Sequence, residues 1–296
     1  MTNIAPTLLA ARSALPPEGA QSALGRPGGG LNAPTLLAAR SALPPEGAQS
    51  ALGRPGGGLN APTHLRTRIK ICGITREQDL DAAVAAGADA VGFVLYPKSP
   101  RYVSPERAAE LVRRLPPFVT PVLLFVNASV EDVLAASRLI PGATLQFHGD
   151  ESPADCDAAA LAVNSPYLRA ARIPLGDGAA QFDLVKYAHN FSNARAILLD
   201  AHVDGYGGGG KVFNWSLLPP SVNAQLVLSG GLDSANVGDG IAQVRPRCIS
   251  LAVDISSGVE AVDAQGLPLK GIKDPEKINQ FVAAVRAADQ RLAGIN

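Results

Sequence analysis

Cysteine is scarce in this chain of 296 residues: Cys72, Cys156 and Cys248 stand far apart, and no CxxC occurs. An odd, sparse set excludes a disulfide framework and fits a reducing compartment, so a cytoplasmic location is expected. Net charge is missing too, since Lys+Arg and Asp+Glu balance at 26 each. No basic field exists to hold nucleic acid, and no polybasic segment to hold a membrane surface. No apolar run approaches the roughly 18 residues that would suggest a membrane-spanning helix. The first residues lack a basic stretch followed by an apolar core, so no secretory signal is expected. No second His or carboxylate stands at metal-ligand spacing from His148, and no metal is predicted.

What is present is of two kinds. Residues Ala5–Asn32 read APTLLAARSALPPEGAQSALGRPGGGLN, and Ala33–Asn60 repeat them without a change. Two identical 28-residue copies indicate a recent tandem duplication, since solenoids need roughly three or more repeats to bury a continuous core. Pro-Pro and Gly-Gly-Gly in each copy break any long helix. LLAARSAL could form two turns, but isolated helices that short are marginal in water. Residues 1–67 are therefore expected to be a flexible extension. The sharper alternative is a docking peptide anchored by Leu8, Leu9 and Leu15.

From residue 68 apolar runs alternate with amphipathic ones. Strands are predicted at Arg68–Ile74, Ala90–Leu95, Pro121–Asn127, Thr144–Gly149, Tyr167–Ile173, Ala196–Ala201, Gln225–Gly230 and Ile249–Ser256. Helices are predicted at Arg76–Ala86, Pro105–Leu115, Val130–Ile140, Pro153–Val163, Ala180–Asn190, around Trp215–Leu218, Ser234–Val244 and Pro275–Leu292. Ser104-Pro105-Glu106 and Asp274-Pro275-Glu276 each place an N-cap before Pro at the first helical position. Thr75 with Gln78 fits a capping box. Ile278, Phe281, Val282 and Val285 form one apolar stripe. Eight strands alternating with eight helices predict an α/β fold, a (β/α)8 TIM barrel over 68–296, with its active site among the loops that follow the strands. An open doubly wound sheet would gather its chemistry at one switch point.

Polar residues close almost every predicted strand. IKICGIT puts Lys70 and Cys72 on one face, Ile69 and Ile71 on the other. A partly exposed Cys72 at the rim could act as base or nucleophile if its pKa falls. Cys156 and Cys248 read as small apolar residues. YPKSPRYVSPE sets Lys98 and Arg101 around a Pro-rich turn, where a guanidinium suits a carboxylate. Gln146 and His148 share a face in QFHG. A strand-end His is more often a structural hydrogen bonder than a catalyst. Asp200 closes AILLDA, where burial can raise a carboxyl pKa and let it act as an acid. Tyr206–Lys211 could form a Gly-hinged lid. The turns SGGL (Gly230, Gly231) and DISSGVE (Ser257, Gly258) follow the seventh and eighth strands, where barrels often hold phosphate. Lys70 and Asp254, on strands that become neighbours when a barrel closes, are expected to form an interior ion pair.

KICGIT, GADAVGFVLYPKSPRYVSPE, LQFHG, GYGGGGKVFNW, LVLSGGL and VDISSGVEA with GIKD together resemble the phosphoribosylanthranilate isomerase family of tryptophan biosynthesis. The resemblance spans roughly 68–290. It implies an Amadori rearrangement of N-(5-phosphoribosyl)anthranilate with Cys72 as general base and Asp200 as general acid. It implies that Arg101 faces the anthranilate carboxylate and that Gly230, Gly231, Ser257 and Gly258 hold phosphate. Gln146, His148 and Asp254 complete the expected substrate-binding set. No cofactor is implied, because the substrate's own nitrogen relays the electrons. The partners implied are the small phosphosugar substrate, a second copy of the chain, or other tryptophan-pathway enzymes. Gly209 and Asn214 depart from the family's pattern, and Asp263–Leu269 reads as a short insertion after the eighth strand.

Overall fold

The structure, a computed structural model, describes residues 66–201 and 212–294. The duplicated segment and the expected lid at Tyr206–Lys211 lie outside the described residues. Strands β1 (Arg68–Cys72), β2 (Ala90–Val94), β3 (Thr120–Phe125), β4 (Thr144–Phe147), β5 (Tyr167–Ile173), β6 (Ala196–Ala201), β7 (Gln225–Leu228) and β8 (Ser250–Ile255) form a closed parallel barrel in that order. Helices α1 (Glu77–Ala85), α2 (Pro105–Val112), α3 (Val130–Leu139), α4 (Pro153–Val163), α5 (Leu184–Asn190), α6 (Val237–Val244) and α7 (Pro275–Leu292) alternate with them. After β6 the expected helix is a 3-10 turn, Trp215–Leu217, and part of the segment predicted as the start of α5 is a 3-10 turn as well, Gly176–Gln181.

Alternation dictates the layers. The outward residues Ile69, Ile71, Val91, Phe93, Leu123, Phe125 and Leu145 pack under the helices and make the main core. Inside the barrel, Cys72, Val94, Leu124 and Val126 form one small cluster, and Ala170, Ala196, Leu198 and Val227 another. Parallel strands buried on both faces read as the near-continuous apolar runs seen in the sequence.

The caps follow the chemistry of their residues. Ser104 Oγ accepts from Arg107 N at 3.2 Å, with Pro105 opening α2. Ser152 and Asp155 form a capping box on α4. Asp274 accepts from Glu276 N and Lys277 N at the start of α7, whose stripe Ile278, Phe281, Val282 and Val285 is buried. The expected box of Thr75 and Gln78 does not form: Arg76 occupies the N-cap, and Thr75 Oγ1 donates to Gly271 O at 2.6 Å. A tertiary acceptor has outcompeted the local one.

One boundary needs correcting. Arg66 and Thr67, assigned above to the extension, are anchored to the barrel. Thr67 is buried and donates from N and Oγ1 to Asp289 at 2.8 and 2.5 Å, while Arg66 pairs with Asp89 at 2.8 Å. The stretch Asp263–Leu269, read as an insertion, forms the turn and the first residues of the second strand of an antiparallel hairpin, β9 (Glu260–Val262) and β10 (Pro268–Lys273).

Barrel closure pairs Lys70 with Asp254 in register, and Lys70 Nζ lies 2.8 Å from Asp254 Oδ1 inside the barrel, as expected. Stranding one member of such a buried pair typically costs about 3–5 kcal/mol. Lys70→Met should lose that much in urea-induced unfolding, and Lys70→Met/Asp254→Asn should recover a substantial part of it. Unchanged stability in the single variant would contradict a closing ion pair.

Candidate active site

The cavity at the C-terminal ends of the strands is lined by Cys72, Tyr96, Ser99, Arg101, Gln146, His148, Asp200, Ser229, Gly230, Gly231, Asp254 and Ser257, among others. Val94, Tyr96, Leu124 and Val126 give it one apolar wall beside Cys72. Lys98 is exposed and does not line it. Gly258 lies just outside, packed so closely that a Cβ there would sit 2.1 Å from Leu232 O, which locks the turn after β8 against the turn after β7.

Each polar group is held by a neighbour. His148 Nε2 is 2.9 Å from Asp200 Oδ2, and Gln146 Nε2 is 3.0 Å from His148 Nδ1. With the amide nitrogen donating to Nδ1, the ring proton sits on Nε2 and points at the carboxylate. His148 is thus a hydrogen bonder, as read from sequence, and its acceptor is the proposed acid. Gly230 has φ +77, and a Cβ there would meet Asp200 Oδ1 at 2.7 Å and Ala201 N at 2.6 Å. Glycine at 230 gives Asp200 its room.

Cys72 differs from the expectation of a partly exposed thiol with a lowered pKa. It is 5% exposed. Burial pushes its pKa up, and neighbouring Lys70 opposes this without cancelling it. Cys156, buried in α4, is pushed up to about 12, and Cys248, half-buried before β8, to about 11, both by burial.

Arg101 reaches the cavity, but its Nε and Nη2 fork onto Glu260 at 2.7 and 2.9 Å. One edge of the guanidinium is therefore occupied. The end-on Nη1/Nη2 edge retains donors for a second carboxylate, because a guanidinium carries five N–H groups. Glu260 also accepts from Gly271 N at 2.8 Å and lies 3.4 Å from Lys273 Nζ, which donates to Ser256 O at 2.8 Å. Burial drives Glu260 up and Lys273 down. The cations beside Glu260 hold it below the ordinary carboxylate range, while Lys273 settles at about 8. Sequence reading missed Glu260 and Lys273. Their signal was weak: single charged residues in VEA and GIKD, on either side of the stretch Asp263–Leu269 that read as an insertion. The stem of Arg101 crosses Gly73 (φ +75), where a Cβ would meet Arg101 Cδ at 2.7 Å. Among the described residues, no cluster of three or more His, Cys, Asp or Glu is arranged for a metal, and no helix is long and apolar enough to cross a membrane.

A sequence profile for N-(5'phosphoribosyl)anthranilate (PRA) isomerase matches residues 69–284. The chain belongs to the N-(5'-phosphoribosyl)anthranilate isomerase family. It is 60% identical over 228 residues to the isomerase of Methylibium petroleiphilum, covering 77% of this chain and 98% of that one. It is 59% identical over 227 residues to the isomerase of Dechloromonas aromatica, 77% and 100% covered. Among solved structures, phosphoribosyl anthranilate isomerase from Thermotoga maritima superposes with a TM-score of 0.63 at 39% identity, covering 75% of this chain and 99% of that chain. A family structure in complex with reduced 1-(o-carboxyphenylamino)-1-deoxyribulose 5-phosphate gives 0.60 at 37% identity, with the same coverage. As a member of this isomerase family, the chain is an enzyme, and its cavity occupies the end of the barrel where (β/α)8 enzymes carry out their chemistry.

Two outcomes follow from the packing. Gly230→Ala should strain the turn by roughly 1–3 kcal/mol and displace Asp200, lowering kcat on the order of 100-fold in a steady-state assay. Glu260 is depressed in the folded state, so its contribution to stability is present above the unfolded Glu value and is lost as pH falls through the folded one. The stability gap between wild type and Glu260→Gln, measured by denaturant titration at several pH values, should be widest near neutrality and close below about pH 4.3. A gap that widens in acid would refute the depressed Glu260.

Proposed function

We propose that this enzyme rearranges N-(5-phosphoribosyl)anthranilate to 1-(2-carboxyphenylamino)-1-deoxyribulose 5-phosphate in tryptophan biosynthesis, with Asp200 as general acid and Cys72 as general base. The observation that carries this reading is that one cavity is lined by a thiol from β1 and a carboxyl from β6, with an apolar wall and two Gly-rich turns around them.

Asp200, in its acid form, gives a proton to the ribose ring oxygen. The bond from that oxygen to C1 breaks, and the anthranilate nitrogen lone pair forms a C1=N iminium. Cys72, as thiolate, then takes the proton from C2. The C–H electron pair moves into C1=C2, and the iminium pair returns to nitrogen. The resulting enol tautomerises to the ketone, with a proton gained at C1 and one lost from the C2 oxygen. Electrons stay within the substrate throughout. Two groups on opposite sides of the sugar suit two proton transfers at different atoms.

The remaining lining residues fit the rest of the molecule. Val94, Tyr96, Leu124 and Val126 supply a surface for the anthranilate ring. Arg101, held by Glu260 along one edge, offers its other edge to the anthranilate carboxylate. Gly230, Gly231 (φ +67) and Ser257 bring backbone N–H groups to the phosphate, with Gly258 setting the approach of the two turns. Asp254 lines the same cavity and can accept from a ribose hydroxyl. Gln146 Oε1 is buried without a hydrogen-bond partner and lines the same cavity, so it too can accept from substrate. His148 fixes Asp200 Oδ2 and leaves Oδ1 for the ring oxygen.

The test follows the loss of phosphoribosylanthranilate, generated in situ, by anthranilate fluorescence in the full chain. Wild type should turn over, and Cys72→Ala and Asp200→Asn should each lose about 100-fold or more. A folded but inactive wild type would favour a barrel that binds a phosphorylated ligand without chemistry.

A further inference from the structure

A thiol must ionise before it can accept a proton, and Cys72 is poorly placed to do so unaided. Its sulfur is enclosed by Val94, Leu124 and Val126. A buried thiolate without a counter-charge is strongly disfavoured. The charged groups around it come from several elements. Lys70 stands on its own strand, Asp254 on β8 and Lys273 on β10. Arg101, His148 and Asp200 line the same cavity from the loop after β2, the end of β4 and β6. Most of these are already committed. Arg101 and Lys273 are tied to Glu260, and His148 is bonded to Asp200.

Lys70 remains. It lies two residues before Cys72 on the same face of β1. Gly92, the register partner of Cys72, shows how closely the two side chains converge. A Cβ at Gly92 would lie 2.8 Å from Cys72 Sγ, 3.0 Å from Lys70 Cε and 3.1 Å from Lys70 Nζ. Sulfur and ammonium thus share one small space, which exists because residue 92 has no side chain. On its other side the same ammonium is 2.8 Å from Asp254 Oδ1, and both members of that pair are about as buried as the thiol.

We propose that Lys70 is the counter-cation of the Cys72 thiolate, and that Asp254 and Cys72 compete for its single ammonium. Lys70 is a positioning residue: it acts through Cys72 and takes no proton from the substrate. While Asp254 holds the ammonium, and adds its own negative charge nearby, the thiol keeps its proton. A substrate hydroxyl that donates to Asp254 dilutes that carboxylate's hold and frees the ammonium to face the sulfur. The base then strengthens when the sugar is in place. This rests on the reading of Cys72 as the base.

The pairing predicts shifts of opposite sign, which a merely structural ion pair would not produce. In the full chain, alkylation of Cys72 by iodoacetamide is followed against pH by peptide mass mapping, so that Cys156 and Cys248 are counted separately. Access of the reagent sets the plateau rate, whereas thiol ionisation sets the midpoint. Asp254→Asn should move the midpoint down by about one unit, which is roughly tenfold faster alkylation at a fixed pH below it. Lys70→Met/Asp254→Asn should move it up from wild type by at least as much. The double variant is used because Lys70→Met alone strands a buried carboxylate. The acidic limb of kcat/KM should rise with the midpoint in the double variant. Midpoints that move together, or do not move, would overturn the counter-cation. Full activity in Cys72→Ala would instead overturn the base, and the midpoints would still report on Lys70.

Discussion

The Lys70–Asp254 pair is the contact on which barrel and site together depend. It lies where the first strand meets the last, and both charges are buried. A buried ion pair is weak evidence for net stability, because desolvation offsets most of the attraction. Its stronger effect is on register. Side chains alternate along a strand, so a one-residue slip of β1 against β8 would turn Lys70 and Cys72 outward into the apolar layer beneath the helices. The charge that closes the barrel therefore also keeps the thiol inside it.

A second constraint joins the ends of the chain differently. Glu260 gathers Arg101 from the loop after β2, Gly271 N from the hairpin and Lys273, which in turn holds Ser256 after β8. The side chain that enters the cavity from the loop after β2 and the turn after β8 are thus tied to one carboxylate. Arg169 does comparable work under β4. Its Nη1 and Nη2 donate to Phe147 O and Gly149 O, on either side of His148, and Nη1 pairs with Glu151. Residues that line the cavity are held in place by buried charges behind them.

Departures from the family's pattern can be placed in part. Asn214 caps the turn Trp215–Leu217, its Oδ1 accepting from Ser216 N at 3.0 Å, a duty Asp would perform equally well. Gly209 lies outside the described residues.

Alternation and capping in the sequence alone determined the eight strands, most of the helices, the inward face of β1 and the Lys70–Asp254 pair. Those features follow from local periodicity, and closing the barrel makes the first and last strands neighbours without further information. Cys72, Asp200 and His148 were legible as cavity residues because each closes an apolar run, and Gln146 because it shares a face with His148. Tertiary structure decided what no local rule carries. The thiol is buried and not at an open rim, because the walls from β2 and β3 rise around it. Thr75 abandons its own helix for Gly271. Arg101 shares its guanidinium with a glutamate 159 positions away. A residue's partner across the barrel depends on how far loops and hairpins fold back, and that distance is set by packing, which a single strand's pattern does not encode.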